Sequence, residues 1–228
     1  MREIVLDTET TGFDPESGDR IVEIGAVELH NHVATGRTYH QYINPERSMP
    51  QEAFEVHGLG DDFLRDKPKF AEIGQAFLDF VGDAKMVIHN AAFDMKFLNA
   101  ELGWMNLPRL PWEQAIDTLA IARKRFPGSP ASLDALCRRF GIDNTARTLH
   151  GALLDSEILA EVYLELIGGR QPDFGLASTS RQNSGASSEV WRPTPRPNPL
   201  PERITPQERE AHERFVAKLG EDTLWSRA

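Results

Sequence analysis

Glu3-Ile4-Val5-Leu6-Asp7-Thr8-Glu9-Thr10-Thr11-Gly12 opens the chain as an apolar, β-branched run that ends in two acids and a turn-forming glycine. Such a run reads as a strand. Side chains alternate along a strand, so Asp7 and Glu9, two positions apart, share a face. Two carboxylates side by side repel each other unless a cation lies between them, and hard oxygen ligands of this kind suit Mg2+ or Mn2+. Asp-x-Glu by itself is read equally well as a solvated strand terminus.

Outward from this stretch, a turn-rich break to Gly18 precedes a second alternating strand over 20–29 and a third over 35–43, closed by Asn44-Pro45. Apolar residues at 70, 73, 77, 78 and 81 have the spacing of a helix face. A buried-type strand over 85–89 is followed by a helical pattern over 91–102, and further helices are expected over 119–126, 132–140 and 152–166. Three strands, then a strand–helix unit and more helices, predict an α/β domain around a mixed sheet. From 169 onward Pro, Ser, Gly, Asn and Arg dominate, and residues 169–204 read as a flexible linker. Order is expected to return at Thr205-Pro206-Gln207-Glu208, with Thr as N-cap, Pro at N1 and Glu at N3 of a capping box. The helix that follows sets Ala211, Phe215, Val216 and Leu219 near one face, with Leu224-Trp225 just beyond.

The 228 residues suffice for one domain with a full core and a tail. Hydrophobic content of 40% and charged content of 26% fit an ordinary soluble protein. No apolar run approaches the roughly 18 residues of a membrane span, and a signal-peptide pattern is absent. The lone Cys137 rules out an internal disulfide and fits a reducing, cytoplasmic setting; its helix-like context reads as a small buried hydrophobe. The formal charge of −10 argues against simple electrostatic wrapping of nucleic acid. Through Gly168 there are 16 Lys+Arg against 27 Asp+Glu, a net of −11, so the acidity belongs to the domain rather than the tail. Either the domain avoids polyanions, or metal ions and a partner overcome the repulsion.

Two further acids and a histidine stand out. In His89-Asn90-Ala91-Ala92-Phe93-Asp94 a strand ends and a helix begins, so Asp94 falls at the carboxyl end of the sheet, where ligands collect. Read alone, it is also an ordinary acid favoured by a helix N-terminus. In His150-Gly151-Ala152-Leu153-Leu154-Asp155 the five-residue step turns about 500° on a helix, so the two titratable groups cannot share a helix face. Gly151 resolves this by leaving His150 in a loop before the helix that carries Asp155. A mobile histidine beside carboxylates is what a general base for water requires, although a lone loop histidine is more often merely solvated.

Together, Asp7-Thr8-Glu9-Thr10-Thr11-Gly12, His89 through Asp94 with Phe97-Leu98 after it, and His150 through Asp155 resemble the three motifs of the DEDD exonucleases in their His-containing branch. Order, spacing and flanking residues agree across 3–167. The resemblance implies a ribonuclease H-like domain that hydrolyses phosphodiesters from the 3′ end with two metal ions about 4 Å apart. It implies Asp7 bridging both ions, Glu9 and Asp155 on the ion that holds the water, Asp94 on the other, and His150 as base. It also implies substrate contacts for Asp7, Glu9, Thr10 and Asp155, and for His57 in the loop Val56-His57-Gly58-Leu59. Phe93 reads equally as a base or sugar platform and as core packing.

Within that family the tail is similar to that of the proofreading exonucleases of the bacterial replicative polymerase. Gln171, Phe174 and Leu176 resemble a degenerate sliding-clamp motif. The segment 205–228, with Phe215, Leu219 and Trp225, resembles the part that docks on the polymerase α subunit. Its apolar face is too small for a core of its own, which calls for a partner. Two other readings carry the same residues. One is a stand-alone exonuclease acting on RNA or short oligonucleotides, which would have no need of the tether. The other is a non-catalytic scaffold between polymerase and clamp, which would have no need of the acids.

Overall fold

The computed structural model describes residues 1–145, 147, 149–169 and 204–218. The chain divides into two units, Met1–Leu176 and Ala177–Ala228. In the first, strands β1 (Arg2–Thr10), β2 (Ile21–His30) and β3 (Val33–Tyr42) form an antiparallel meander. The β2–β3 turn is Asn31-His32, both at positive φ (50° and 65°), as the tightest hairpin turn requires. Helices α1 (Gln51–His57), α2 (Asp61–Leu64) and α3 (Phe70–Val81) lead to β4 (Lys85–Ile88) and α4 (Ala91–Trp104). Then come β5 (Ala115–Asp117), α5 (Thr118–Arg125), α6 (Leu133–Phe140) and α7 (Ala152–Leu166). The sheet order is β3-β2-β1-β4-β5, with β4 and β5 parallel to β1. This is the mixed α/β sheet flanked by helices that the sequence predicts, with the ribonuclease H-like arrangement.

Alternation along the strands divides the core. Ile4 and Leu6 of β1, and Met86 and Ile88 of β4, pack with Phe70, Phe77, Phe97 and Leu98 of α3 and α4. Val5 and Val87 face the other way, against Leu159 and Tyr163 of α7. A third cluster joins α5, α6 and α7 and buries Cys137 completely, as its helical context implies. Each fully buried Phe or Leu contributes roughly 1.5–3 kcal/mol. The same parity puts Asp7 and Glu9 on the α7 face, because both continue the phase of Val5.

The short elements α1, α2 and β5 carry too few periodic residues to be read from sequence. His57, expected in a loop, is the last residue of α1, which Gly58 ends at φ 74°. Buried contacts tie strands to helices. Arg20 donates twice to Glu101 of α4, at 2.7 and 2.8 Å, and Glu101 is fully buried.

In the second unit, helix α8 (Pro206–Lys218) begins with the expected capping box. Thr205 N–H donates to Glu208 Oε2 at 2.8 Å, and Glu208 N–H donates to Thr205 Oγ1 at 3.3 Å. Every described residue of α8 is solvent-accessible, and Phe215 is 60% exposed. Residues 170–203 of the 169–204 linker, with Gln171, Phe174 and Leu176, and the apolar residues Leu219 and Trp225 lie outside the described residues.

Candidate active site

β1 ends beside the parallel strand β4, so the chain leaves both strands on one edge of the sheet, and the acids gather there. Asp7, Glu9, Phe93, Asp94, His150 and Asp155 line one cleft of about 500 Å3, together with Thr8, His89, Asn90, Arg123, Asp134 and Arg147. All four predicted metal ligands and the predicted base are therefore brought together from three distant segments.

Each acid has a local reason for its place. Asp7 pairs in register with Gly25 of β2, and Glu9 with Glu23. A Cβ on Gly25 would lie 2.1 Å from backbone atoms of Ala152 and Leu153, so only glycine lets the start of α7 press onto the sheet here. Ser156 Oγ donates to the Gly25 carbonyl at 2.8 Å and fixes that approach. Asp155, in the first turn of α7, is thereby set beside β1. Asp94 arrives from the other side of the sheet. Asn90 precedes α4 in the left-handed conformation, φ 66°, with its N–H held by Asp117 Oδ1 at 3.1 Å. Thr8, whose parity is opposite to that of Asp7, donates its hydroxyl to Asp94 Oδ1 at 2.7 Å.

The electrostatics are those of crowded anions. Burial, then the Asp94, Glu9 and Asp155 carboxylates, push the Asp7 carboxyl well above its ordinary range. Glu9 is pushed up to about 8 by burial, with Asp155 and Glu23 adding to it. Burial lifts Asp94 to about 7 against the opposing Thr8 hydrogen bond. Asp155 behaves differently: burial pushes it up, but His150 and Arg147 beside it more than reverse that and hold it low. Arg147 grips both Asp155 oxygens, at 2.5 and 2.8 Å, and its Nη2 lies 2.8 Å from His150 Nδ1. Arginine can only donate, so this contact engages the Nδ1 lone pair whenever that nitrogen carries no proton.

The donor set fits hard divalent cations. Glu9, His150 and Asp155 offer ligand atoms all within 4.8 Å of one another. Carboxylates crowded into a cleft lower their mutual repulsion by sharing a cation. Phe93 is half-buried, packs at a 45° tilt against Phe97 with ring centroids 4.9 Å apart and also lines the cleft, so packing and a platform surface belong to the same ring. Thr10 and His57 do not line it. The Thr10 hydroxyl donates to the Gly12 carbonyl at 2.6 Å. His57 Nδ1 accepts from Leu59 N–H, while its buried Nε2 has no hydrogen-bond partner of good geometry. The α1 end nevertheless touches the His150 loop, since His150 N–H donates to the Val56 carbonyl at 3.1 Å. Sequence reasoning missed the roles of Thr8, Gly25, Asp134, Arg147 and Ser156, because each acts through contacts that no local pattern announces.

The family model described as Exonuclease (RNase_T) matches residues 4–163. DNA polymerase III subunit epsilon of Rickettsia felis is 50% identical over 223 residues, 96% of this chain and 97% of the relative. The protein of the same name in Escherichia coli (strain K12) is 45% identical over 238 residues, 98% of this chain and 97% of the relative. Among solved structures, Exonuclease X in complex with 5′ overhanging duplex DNA has a TM-score of 0.57 at 27% identity, covering 72% of this chain and 90% of that one. The nuclease domain of a 3′-exonuclease described as a DEDDh family member shares the fold, with a TM-score of 0.62 at 21% identity over 73% of this chain and 91% of that one.

Proposed function

The chain belongs to the exonuclease family and is a 3′–5′ exonuclease; from that premise we propose that Asp7, Glu9, Asp94 and Asp155 hold two divalent cations, Mg2+ or Mn2+, at the last phosphodiester of a DNA 3′ end. The observation that supports this reading is the convergence of four carboxylates and an exposed histidine in one cleft. Bound there, the cations supply the charge that activates water and stabilises the leaving 3′-oxygen. Asp7, which lies among the Asp94, Glu9 and Asp155 carboxylates, would serve both ions. Glu9 and Asp155 serve one ion, and Asp94, steadied by Thr8, serves the other. His150 takes the proton of the attacking water on its unprotonated ring nitrogen. Phe93 supports the terminal base or sugar, Asp7, Glu9 and Asp155 also meet the substrate, and Thr10 and His57 contact the terminal nucleotide.

The substrate is DNA carried by a replicative polymerase, in keeping with relatives named as polymerase III subunits at 45–50% identity along nearly the whole chain. Residues 1–168 form the exonuclease domain, 169–204 act as a linker that carries a clamp-binding motif at Gln171, Phe174 and Leu176, and 205–228 dock on the polymerase α subunit through Phe215, Leu219 and Trp225. The setting is the cytoplasm; among the described residues no helix is long and apolar enough to cross a membrane. Incubation with Mg2+ and matched or 3′-mismatched DNA or RNA tests the reading. Stepwise release of nucleotides from DNA, faster at the mismatch and abolished by Asp7→Ala, is expected. Release from RNA alone would favour a stand-alone RNA nuclease, and unchanged turnover in Asp7→Ala would refute the metal assignment.

A further inference from the structure

Arg147 stands where a cation is expected. Its fork uses both oxygens of Asp155, through Nε at 2.5 Å and Nη2 at 2.8 Å. The same Nη2 lies 2.8 Å from His150 Nδ1. Of the three groups whose donor atoms converge within 4.8 Å, the guanidinium therefore engages two. A bidentate fork on a carboxylate is among the stronger protein hydrogen-bonded pairs, and its positive charge offsets the neighbouring acids. It also conflicts with the chemistry. A divalent cation joining Glu9 to Asp155 has to take an oxygen that the fork holds, and His150 accepts no proton from water on a nitrogen that already accepts from arginine.

The structure supplies a place for the displaced side chain. Arg147 Nη1 donates to Asp134 Oδ1 at 2.9 Å, and Asp134 is itself steadied by Asn144 Nδ2 at 2.9 Å. The Asp134 side chain is 45% exposed, so it keeps a guanidinium without the confinement that Asp155 imposes. Asp155 is fixed on a helix pressed against Gly25, whereas Arg147 lies outside regular secondary structure, so the arginine is the partner able to move.

We propose that Arg147 is a latch: in the metal-free protein it occupies Asp155 and His150, and it surrenders both and retreats to Asp134 when a divalent cation enters. The inference rests on the metal-binding reading above. The latch keeps the acid cluster tolerable without metal and leaves the base unready until the metal is in place. Arg147 is thus a positioning residue, acting through Asp155 and His150.

Titration calorimetry of the metal-free full chain with Mn2+, paired with thermal melts, tests this. Arg147→Gln removes the competitor, so Mn2+ should bind about tenfold tighter, the equivalent of one charge-assisted pair. Its metal-free melting temperature should fall while the Mn2+-loaded one moves less. Arg147→Lys, which keeps the charge and loses the fork, should tighten binding by a smaller factor and guards against a glutamine variant that fails to fold. Asp134→Asn should act in the opposite direction, weakening Mn2+ binding by removing the retreat, and should have little effect in the Arg147→Gln background, which separates the retreat from plain loss of a negative charge. Mn2+ bound by the wild type with unchanged or weaker affinity in both Arg147 variants overturns the latch alone. No Mn2+ binding by wild type or variants overturns the metal reading and the latch with it.

Discussion

Glu9 and Asp94 carry the clearest pH signature in the molecule. Burial and neighbouring acids raise their carboxyls from 4.5 to about 8 and from 3.8 to about 7, and Asp7 moves the same way. A carboxyl with a raised folded-state pKa favours the folded chain while protonated. As pH climbs past the unfolded values near 4, the unfolded chain loses its protons first, and the penalty on folding grows until pH passes 7 to 8. The metal-free protein should therefore melt at a higher temperature at pH 5 than at pH 8. Asp155 runs the other way, but its depressed pKa acts below pH 4, outside this window; His57 and His89, lowered by burial, also run the other way, below pH 6.5, against the larger shifts of the acids. Melts in chelator across pH 5–8 check the sign, and a melting temperature that rises over that range would count against an uncompensated acid cluster. Saturating Mg2+ should abolish the dependence. His150→Ala should leave metal-free stability within about 0.5 kcal/mol, as for exposed positions generally, yet depress nucleotide release by roughly 100-fold or more, the usual contribution of a general base. At this scale the acids and His150 were legible because each sits at a strand or helix end with a fixed spacing. Arg147 and Thr8 were not, because a single side-chain contact across 8 or 86 residues leaves no periodic trace.

Elements position those residues through a few close contacts. Gly25 is the tightest of them: adding one methyl group requires α7 to lift away from β2, since the obstructing atoms are backbone. Gly25→Ala should destabilise the fold by about 1–3 kcal/mol, the range for overpacking, and should slow hydrolysis far more than a surface alanine, because Asp155 rides on the displaced helix. Chemical denaturation together with single-turnover release separates the two effects. Glu101 is the second case. Fully buried and gripped by Arg20, it joins α4 to the start of β2, and Glu101→Ala should cost about 3–5 kcal/mol by leaving the guanidinium without its partner. Strands β1 to β4 and the longer helices were readable from periodicity alone. Helix α1 and strand β5 were not: α1 has three apolar residues in seven, and β5 is three residues long, so pairing with β4 rather than pattern defines it. Gly25 sits inside an ordinary strand pattern, and only the crossing of α7 over it gives the glycine its meaning.

At the scale of the whole molecule, a net charge of −11 through Gly168 sets the problem that the rest of the chain addresses. A domain this acidic gains little from diffuse attraction to a polyanion, so under the proposed function contact with DNA would rest on cations in the cleft and on delivery by a partner. The proposed tether would supply delivery through effective concentration: a flexible link between two binding modules raises local concentration to about millimolar and can lift apparent affinity roughly 100- to 10,000-fold without adding a contact to DNA. The exposed helix α8, with Phe215 uncovered, is consistent with the proposed handle whose apolar side is buried on a partner. Adding the polymerase subunit should therefore lower the protein concentration needed for half-maximal release from primer–template by at least about tenfold, while the turnover rate at saturation changes little. Deleting 200–228 should abolish co-elution with the polymerase and the whole of that concentration shift, while release from short single strands stays at the wild-type rate. A deletion that impairs release from single strands would place the tail in the catalytic unit, and a complex that survives the deletion would locate the docking element elsewhere in the chain.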